Sequence, residues 1–205
     1  MSFSTLTEDH YDALREIVNI AMGQASAGLA ALFDTRVMLH VPDIALTEAS
    51  SLATELAAVA PKEARQAAVR QAFFGGLNGE AIVLHARTGA DLASSLLGYE
   101  GPCTEAAERE FYLDTSNMLT GAILGGLTKQ LSIDIGYSPP TLLSLQTKAP
   151  ALARECGQGW EYALRVSIVF RLESHQFECR VLIFLPENAG SALYDALERF
   201  LEEYA

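Results

Sequence analysis

Two stretches of this chain share one spacing of polar residues: residues 12–23 read DALREIVNIAMG, and residues 110–121 read EFYLDTSNMLTG. Each begins with an acid, has a second acid four residues on, an asparagine three further and a glycine four beyond that. At about 100° per residue, these positions lie on one side of a helix. The spacing predicts two similar helices with polar stripes, which are Asp12, Glu16, Asn19 and Gly23 on the first and Glu110, Asp114, Asn117 and Gly121 on the second.

The first of these helices is predicted to run from about Thr7, a favourable N-cap residue, to about Phe33. Glu8 and Asp9 follow the cap, where acids interact favourably with the helix dipole. The apolar residues of the segment lie on the side opposite to the stripe: Leu14, Ile17, Val18, Ala21, Met22, Ala25, Leu29 and Leu32. We therefore expect the apolar side to be buried and the stripe to face solvent.

The segments that follow the two helices recur in the same order. After the first helix we predict a strand that ends at Pro42, a short helix at about 51–59, a hairpin with GGLNG (75–79) in its turn, and a helix at 88–98. The turn assignment rests on glycine and asparagine, which accept the positive φ of tight turns. The second series is a long helix from about Thr104 to Leu131, a strand after 138–140, a hairpin over 162–172 and 176–185, and a closing helix over 188–204.

A common offset of 98 residues relates the two series. It carries Glu16 to Asp114, Asn19 to Asn117, Gly23 to Gly121 and Pro42 to Pro140, and in the hairpins it carries Glu80, Val83 and Leu84 to Glu178, Val181 and Leu182. Such recurrence indicates duplication. The predicted fold class is α+β with two pseudo-two-fold halves, in which an antiparallel sheet is flanked by helices that include the two long ones. Residues 1–205 are expected to form a single domain of two tandem halves, at about 7–100 and 104–205.

The composition argues against several classes of function. The 26 acidic against 14 basic residues give a formal net charge of −12, which disfavours nucleic acid, because binding to phosphates requires clustered Lys and Arg. No signal-peptide pattern is found, and no apolar span is long enough for membrane insertion. The three widely spaced cysteines fit reduced thiols, so we expect a cytoplasmic protein. The histidines show no metal-ligand spacing with the cysteines and no cofactor motif is found, so we expect neither a metal nor a cofactor of its own.

The polar stripes have both structural and functional explanations. A solvated helix face explains a single stripe, but exposed polar residues drift freely after a duplication, and here the pattern recurs. A glycine within a helix costs about 1 kcal/mol relative to alanine. Gly23 and Gly121 therefore either let a partner's backbone approach or let the two long helices pack tightly. Four apolar residues near the second stripe form a docking rim or, as we favour, part of the core: Phe111, Leu113, Met118 and Leu124.

The stripes resemble the signature of the CheC/CheX/FliY phosphatases of bacterial chemotaxis, which is Asp or Ser, three residues, Glu, two residues, Asn, twenty-two residues and Pro. The first copy matches it completely, with Asp12, Glu16, Asn19 and Pro42. The second copy matches it with two acid substitutions, as Glu110, Asp114, Asn117 and Pro140. With two copies over its whole length, the chain is similar to CheC.

The resemblance implies hydrolysis of the aspartyl phosphate of a CheY-like response regulator. In that family the Glu engages the regulator's active-site lysine and the Asn orients the attacking water, so Glu16 and Asn19 are the expected main pair. Asp114 and Asn117 are a weaker pair, because Asp114 is one methylene shorter than Glu. The remaining stripe residues are expected to support the site or dock the partner: Asp12, Gly23, Glu110 and Gly121. The regulator is expected to bring its own Mg²⁺, and the deamidase CheD is a further candidate partner.

Two other functions stay open. The protein could be a non-catalytic adaptor that binds a response regulator or CheD without hydrolysis. It could also be a component of the flagellar switch, which we disfavour because no switch-type domain is appended to the two halves. An enzyme with its own nucleophile is the least favoured, since the sequence lacks a constellation of nucleophile and base.

Overall fold

The computed structural model describes residues 3–40, 42–59, 66–86, 104–147, 151–152, 154, 159–172 and 178–204. The helices are α1 (Glu8–Phe33), α2 (Leu52–Val59), α3 (Glu105–Leu131) and α4 (Gly190–Tyr204), with short 3-10 helices at Phe3–Thr5 and Glu187–Ala189. The strands are β1 (Val37–Leu39), β2 (Asp43–Glu48), β3 (Gln66–Gly75), β4 (Gly79–Ala86), β5 (Ile135–Tyr137), β6 (Thr141–Thr147), β7 (Tyr162–Leu172) and β8 (Glu178–Pro186). The helix predicted at 88–98 lies outside the described residues.

The two long helices, α1 and α3, are capped in similar ways. The Thr7 hydroxyl accepts the backbone N–H of His10, and the Thr7 backbone N–H donates to His10 Nδ1 at 3.0 Å. The Thr104 hydroxyl accepts the backbone N–H of Ala107 at 3.2 Å. After the helices, Asp34 and Ser132 both have left-handed backbone conformations, with φ of 45° and 53°. The predicted bounds of both long helices are confirmed.

The described strands form one antiparallel sheet in the order β1-β7-β8-β4-β3-β5, in which β2 also pairs with β7 and β6 with β3. The hairpins β3–β4 and β7–β8 lie side by side at its centre. The strands that follow each long helix pair with the hairpin of the other half, β1 and β2 with β7, and β5 and β6 with β3. The predicted α+β class, with helices against an antiparallel sheet, is confirmed, and the two halves are interlocked through exchanged strands.

Helices cover both faces of this sheet. α1, α3 and α4 enclose the main core with alternate residues of the central strands, for example Val69, Val83 and Val181. On the opposite face, α2 packs Leu52 and Leu56 against the remaining alternate residues. Both faces of the central strands are therefore apolar, as expected of strands that are covered on both sides. No described helix is long and apolar enough to cross a membrane.

The two long helices approach each other closely at Gly126. A Cβ atom added to Gly126 would lie 2.8 Å from both the Cα and the Cβ of Ala21, so a side chain here would push the helices apart. The corresponding residue of α1 is Gly28, 98 residues earlier, and its added Cβ would lie 3.8 Å from the Met118 sulfur, an ordinary contact. The helix contact is therefore asymmetric, although both halves have glycine at this position.

The pairing of strands shows which residues of the two hairpins are equivalent. Leu39 pairs with Phe170, and Tyr137, its counterpart 98 residues on, pairs with Phe73. Phe73 and Phe170 are therefore equivalent, so β3 and β7 are related by 97 residues. The His40 backbone N–H donates to the Val169 carbonyl at 3.3 Å, and the Ser138 backbone N–H donates to the Ala72 carbonyl at 2.9 Å. The two acceptors, Ala72 on β3 and Val169 on β7, are again 97 residues apart.

The second strands of the two hairpins have a different offset. Phe73 pairs with Gly79 and Phe170 with Cys179, so β4 and β8 are related by 100 residues. The reason is that the connection between the paired strands is three residues longer in the second hairpin. The predicted matches are therefore wrong for the following hairpin residues: Glu80, Val83 and Leu84 with Glu178, Val181 and Leu182.

The first hairpin turn uses its glycines in two ways. Gly75 has the predicted positive φ, at 123°, whereas Asn78 does not. Asn78 instead donates through Nδ2 to Asn188 Oδ1 at 3.1 Å. Gly79 is required by a close approach, because an added Cβ would collide with the carbonyl oxygen of Phe184 on the adjacent strand.

The sequence prediction missed one strand in each half. β2 follows Pro42 directly, where no strand was expected, and β5 precedes the predicted strand that corresponds to β6. The strand predicted to end at Pro42 is only Val37–Leu39. β5 has three residues, and burial does not alternate along β2, so no period of two marks these two edge strands.

Candidate functional site

The polar stripe of α1 faces solvent along its length. Asp12, Glu16, Asn19 and Gly23 are all exposed. The opposite side of the helix is buried at each described apolar position: Leu14, Ile17, Val18, Ala21, Met22, Ala25 and Leu29. The side chain of Leu32 lies outside the described residues. The predicted division of α1 into a buried apolar side and an exposed stripe is confirmed at these positions.

The side chains of Glu16 and Asn19 have no hydrogen bond or ion pair within the described part of the chain. Asp12, one turn before Glu16, accepts a hydrogen bond from Arg15 Nη1 at 2.6 Å. Both side chains of that ion pair are exposed, so water screens it and it contributes little to stability. A carboxylate and an amide three residues apart are thus available to a partner on one helix face.

The stripe of α3 is exposed at Glu110, Asp114 and Asn117, and partly buried at Gly121. A Cβ atom added to Gly121 or to Gly23 would meet no atom within 4 Å. Packing between the long helices therefore does not require glycine at either position, and that explanation of the stripe glycines is wrong. Close packing requires glycine at Gly126 instead, a position that the sequence analysis did not single out.

Asn117 has a side-chain hydrogen-bond partner, whereas Asn19 has none among the residues that the structure describes. Oδ1 of Asn117 accepts a hydrogen bond from Gln71 Nε2 at 3.0 Å, and the same Gln71 nitrogen donates to the Ser138 carbonyl oxygen at 2.9 Å. Gln71 lies on β3 and is 5% exposed. Its Oε1 is buried without a hydrogen-bond partner among the described residues. Gln71 and Ser138 are thus part of the second site, although they are distant from Asn117 in sequence.

The equivalent place below α1 is apolar. With β3 and β7 related by 97 residues, the counterpart of Gln71 is Ile168, which is fully buried in the main core. The counterpart of Ser138 is His40, whose backbone makes the equivalent bond to β7. An isoleucine cannot donate a hydrogen bond, so nothing on β7 holds the side chain of Asn19.

Comparison with solved structures identifies the fold. The chain superposes on FliY from Thermotoga maritima with a TM-score of 0.68 at 18% identity, covering 96% of this chain and 99% of that one. It superposes on the FliM middle domain from H. pylori with a TM-score of 0.60 at 10% identity, covering 93% and 99%. A chain of the CheX–CheY–BeF3–Mg²⁺ complex from Borrelia burgdorferi matches with a TM-score of 0.53 at 17% identity, covering 83% and 97%.

This protein has the fold of the CheC, CheX and FliY proteins. CheC-like proteins from two Shewanella species are among the other matches. At these identities the likeness concerns the fold, and the shared fold includes FliM as well as CheX. The sequence matches no protein-family model, and no curated protein matched it. Function must therefore be argued from the residues that this CheC-like fold displays.

The apolar residues near the second stripe divide between core and surface. Phe111 and Leu124 are 2% and 1% exposed and belong to the main core. Leu113 and Met118 are partly buried and pack against the same core. The preference for core over a docking rim is therefore confirmed for Phe111 and Leu124.

A buried polar cluster lies beneath the second motif. His85 on β4 has its Nε2 2.8 Å from Ser116 Oγ and packs its ring on Tyr112, with centroids 4.8 Å apart. The Tyr112 hydroxyl donates to Glu108 at 3.2 Å. Burial disfavours the charged imidazolium and lowers the pKa of His85 to about 3. The counterpart of His85 on β8, 100 residues on, is Leu185, so among the described residues this cluster lies below α3 and has no equivalent below α1.

The described residues contain no group of three or more His, Cys, Asp or Glu that could hold a metal ion. Of the three cysteines, Cys179 is free and buried, and burial raises the pKa of its thiol. Cys103 and Cys156 lie outside the described residues. The catalytic roles of the stripe residues stay predictions, which rest on the motif and on the exposure of these residues.

Proposed function

We propose that this protein is a phosphatase that hydrolyses the aspartyl phosphate of a CheY-like response regulator, with Glu16 and Asn19 as its main catalytic pair. The observation that carries the proposal is the exposed stripe of α1, where both side chains are free of partners within the described chain. The fold supports it, since one structure with this fold holds CheX together with CheY, BeF3 and Mg²⁺.

Glu16 and Asn19 are placed to enter the active site of another protein together. Both are exposed, and side chains three residues apart are neighbours on a helix surface. The carboxylate of Glu16 would pair with the regulator's lysine. The amide of Asn19 donates and accepts hydrogen bonds without changing its protonation state, which suits it to orienting a water molecule rather than to abstracting a proton.

The reaction is the hydrolysis of an acyl phosphate. The water oxygen forms a bond to phosphorus, the bond from phosphorus to the aspartyl oxygen breaks, and the carboxylate leaves with the bonding electron pair. The proton released by the water passes to the phosphate product or to solvent. Catalysis of phosphoryl transfer consists mostly of positioning and charge stabilisation. We propose that the regulator supplies the cationic charge through its own Mg²⁺ and lysine, while this chain positions the water.

The other stripe residues would contact the regulator around the catalytic pair. Asp12 lies one turn before Glu16 and is paired with Arg15, which presents a charge of each sign to the partner. Gly23 lies one turn after Asn19 with open space above it, so a partner's backbone could approach the helix there. Glu110 and Gly121 would have the same docking roles on α3.

Asp114 and Asn117 form a second, weaker site in this proposal. Asp114 is exposed like Glu16 but is one methylene shorter. A misplacement of about 1 Å can cost about 100-fold in a reaction that depends on positioning. The second site is therefore expected to contribute a small share of the turnover.

The proposal is tested with a purified receiver domain, phosphorylated by a small phosphodonor, whose acyl phosphate is followed after addition of catalytic amounts of this protein. Wild-type protein is expected to accelerate the loss of the acyl phosphate. With the Asn19→Ala/Asn117→Ala double variant, the receiver is expected to lose its acyl phosphate at the spontaneous rate. Glu202→Ala is the matched control, because Glu202 is exposed and lines a cleft with Ser132 at the far end of α3. Receiver decay that is unchanged by the wild-type protein would overturn the proposal.

The adaptor function is favoured by one observation: of the two exposed stripes, only that of α1 carries the longer acid, Glu16, beside its asparagine. In that case the protein binds a receiver, or a CheD-type deamidase, without hydrolysis. Receiver binding by both the wild-type protein and the double variant, with no turnover by either, would establish the adaptor in place of the phosphatase.

A further inference from the structure

We infer that Gln71 is a positioning residue that holds the side-chain amide of Asn117 in a single orientation. As a statement about catalysis, the inference rests on the proposed function. As a statement about the side chain, it stands on the hydrogen bonds alone. Gln71 lies on β3, 46 residues from Asn117 in sequence, and no motif connects the two.

The orientation of Asn117 follows from a main-chain carbonyl. The oxygen of Ser138 can only accept a hydrogen bond, so the group of Gln71 that lies 2.9 Å from it must be the NH₂. That NH₂ can only donate, so the atom of Asn117 that lies 3.0 Å from it must be Oδ1. The Nδ2 donors of Asn117 are then directed away from Gln71. The main-chain carbonyl of Ser138, in the β5–β6 connection, thus sets the orientation of a surface amide through one buried side chain.

Packing alone does not explain a glutamine at this position. Gln71 is 5% exposed, and its Oε1 is buried without a hydrogen-bond partner among the described residues, which is unfavourable for folding. The equivalent place on β7 is occupied by Ile168, fully buried, so this fold accepts an apolar residue there. The two hydrogen bonds of Nε2 are the feature that an apolar residue would lose.

The effect of Gln71 on the second site would be preorganisation. Asn117 is exposed, and an unrestrained amide on a surface helix samples several rotamers. A side chain that is already ordered in the working orientation need not be ordered when the partner binds. We expect this restraint to change the turnover of the second site, kcat, more than the binding of the receiver, KM.

The test uses full-length protein in the Asn19→Ala background, where remaining turnover reports on the second half. Gln71→Met removes the amide and keeps an apolar side chain of similar length. Ile168→Leu, at the equivalent place on β7, is the matched control. We expect Gln71→Met to lower kcat about threefold to tenfold with KM nearly unchanged, the range for loss of one hydrogen bond or one ordered side chain. Ile168→Leu is expected to leave kcat unchanged.

A second readout does not depend on activity. In ¹⁵N NMR spectra, the side-chain NH₂ of Asn117 is assigned by its loss in Asn117→Ala. It is expected to be ordered in the wild-type protein and mobile in Gln71→Met, with thermal stability equal or higher in that variant. An Asn117 amide that stays equally ordered in Gln71→Met would overturn the inference.

The kinetic outcomes separate the two claims. A mobile Asn117 amide with an unchanged kcat, in a background where Asn117→Ala abolishes turnover, would overturn the positioning role and leave the proposed function intact. Wild-type protein with no effect on receiver decay would contradict the proposed function, and the NMR measurement would then decide the positioning of Asn117 by itself.

Discussion

Asn19 and Asn117 occupy the same place in the two halves but differ in what lies beneath them. Under Asn117, Gln71 donates to the asparagine and to the backbone of Ser138. Under Asn19 the equivalent residue is Ile168, and the asparagine has no partner within the described chain. The half with the complete sequence motif therefore has the less restrained amide, and the half with the shortened acid has the more restrained one.

This difference shows that motif matching and structural support are separate properties. After a duplication, the residues beneath each long helix can change while the exposed stripe of that helix keeps its pattern. In this chain polar groups lie below α3, which are Gln71 and the cluster around His85, whereas the equivalent positions below α1 are Ile168 and Leu185. Substitutions that exchange features between the halves test what each feature contributes.

The largest expected effect comes from exchanging the two acids. Glu16→Asp gives the first site the shorter acid of the second, and turnover of the phosphorylated receiver is expected to fall about 100-fold, because the carboxylate no longer reaches the lysine. Asp114→Glu in the Asn19→Ala background is the reciprocal change and is expected to raise turnover. A Glu16→Asp variant with wild-type turnover would show that the length of the acid does not distinguish the halves.

The second effect is on stability and concerns His85. Its folded-state pKa of about 3 lies below the ordinary value of 6.5, so between these pH values the unfolded chain binds a proton that the folded chain does not. The free energy of unfolding is therefore expected to fall as the pH is lowered from about 6.5, by up to about 1.4 kcal/mol per pH unit. Denaturant unfolding between pH 6.5 and 5 measures this slope.

His85→Leu supplies the control for that slope, since it introduces the residue that β8 has at Leu185. The variant shares every other titrating group with the wild type, so the difference between their slopes reports on His85. Its stability at neutral pH can change, because Ser116 loses a partner, but its slope between pH 6.5 and 5 is expected to be smaller. Equal slopes would mean that His85 is not kept neutral by burial.

The third effect concerns the helix contact. Gly126→Ala places a Cβ 2.8 Å from the backbone of Ala21 and is expected to lower the free energy of unfolding by about 1–3 kcal/mol, because the helices must separate. Gly28→Ala is the matched change on α1, where the Cβ has room, and is expected to raise stability by up to about 1 kcal/mol. Similar changes in both variants, measured by chemical denaturation, would contradict the asymmetric contact.

The smallest effect is expected from the stripe glycines. Gly23→Ala and Gly121→Ala meet no atom within 4 Å, so each is expected to raise stability by up to about 1 kcal/mol through helix propensity. Gly23→Ala is also expected to raise the KM for the receiver, because the added methyl group keeps the partner's backbone away from α1. A KM that is unchanged in Gly23→Ala would show that Gly23 has no docking role. A KM that rises more in Gly121→Ala than in Gly23→Ala would place the docking surface on α3.

Much of the fold was predictable because it depends on local signals. The 3.6-residue period gives α1 and its buried side, and Thr7 and Thr104 are recognisable caps. The exposure of Glu16 and Asn19 follows from the same period, and that of Asp114 and Asn117 was indicated by the recurrence of the stripe on α3. The edge strands β2 and β5 carry no such period, and the exchange of strands between halves depends on long-range pairing. The offset of 98 holds for the helices and the strands after them, but a longer connection alters it in the hairpins.

The support of the second site could not be predicted from spacing. Gln71 reads as one of the few polar residues of a mostly apolar strand, and its contact with Asn117 exists only because α3 packs over β3 of the other half. Gly126 reads as one of several helix glycines, and only the crossing of α1 and α3 distinguishes it. The catalytic roles of the stripes, a cytoplasmic location and the division into halves at about 7–100 and 104–205 stay predictions.

The most direct test of the central claim compares Asn19→Ala with Asn117→Ala in the turnover of a phosphorylated CheY-like receiver. The account predicts that Asn19→Ala lowers turnover about 100-fold, to the level of the second site, while Asn117→Ala keeps most of the wild-type rate. Equal losses in the two variants, or a larger loss in Asn117→Ala, would contradict the account and make the restrained asparagine the principal catalytic group.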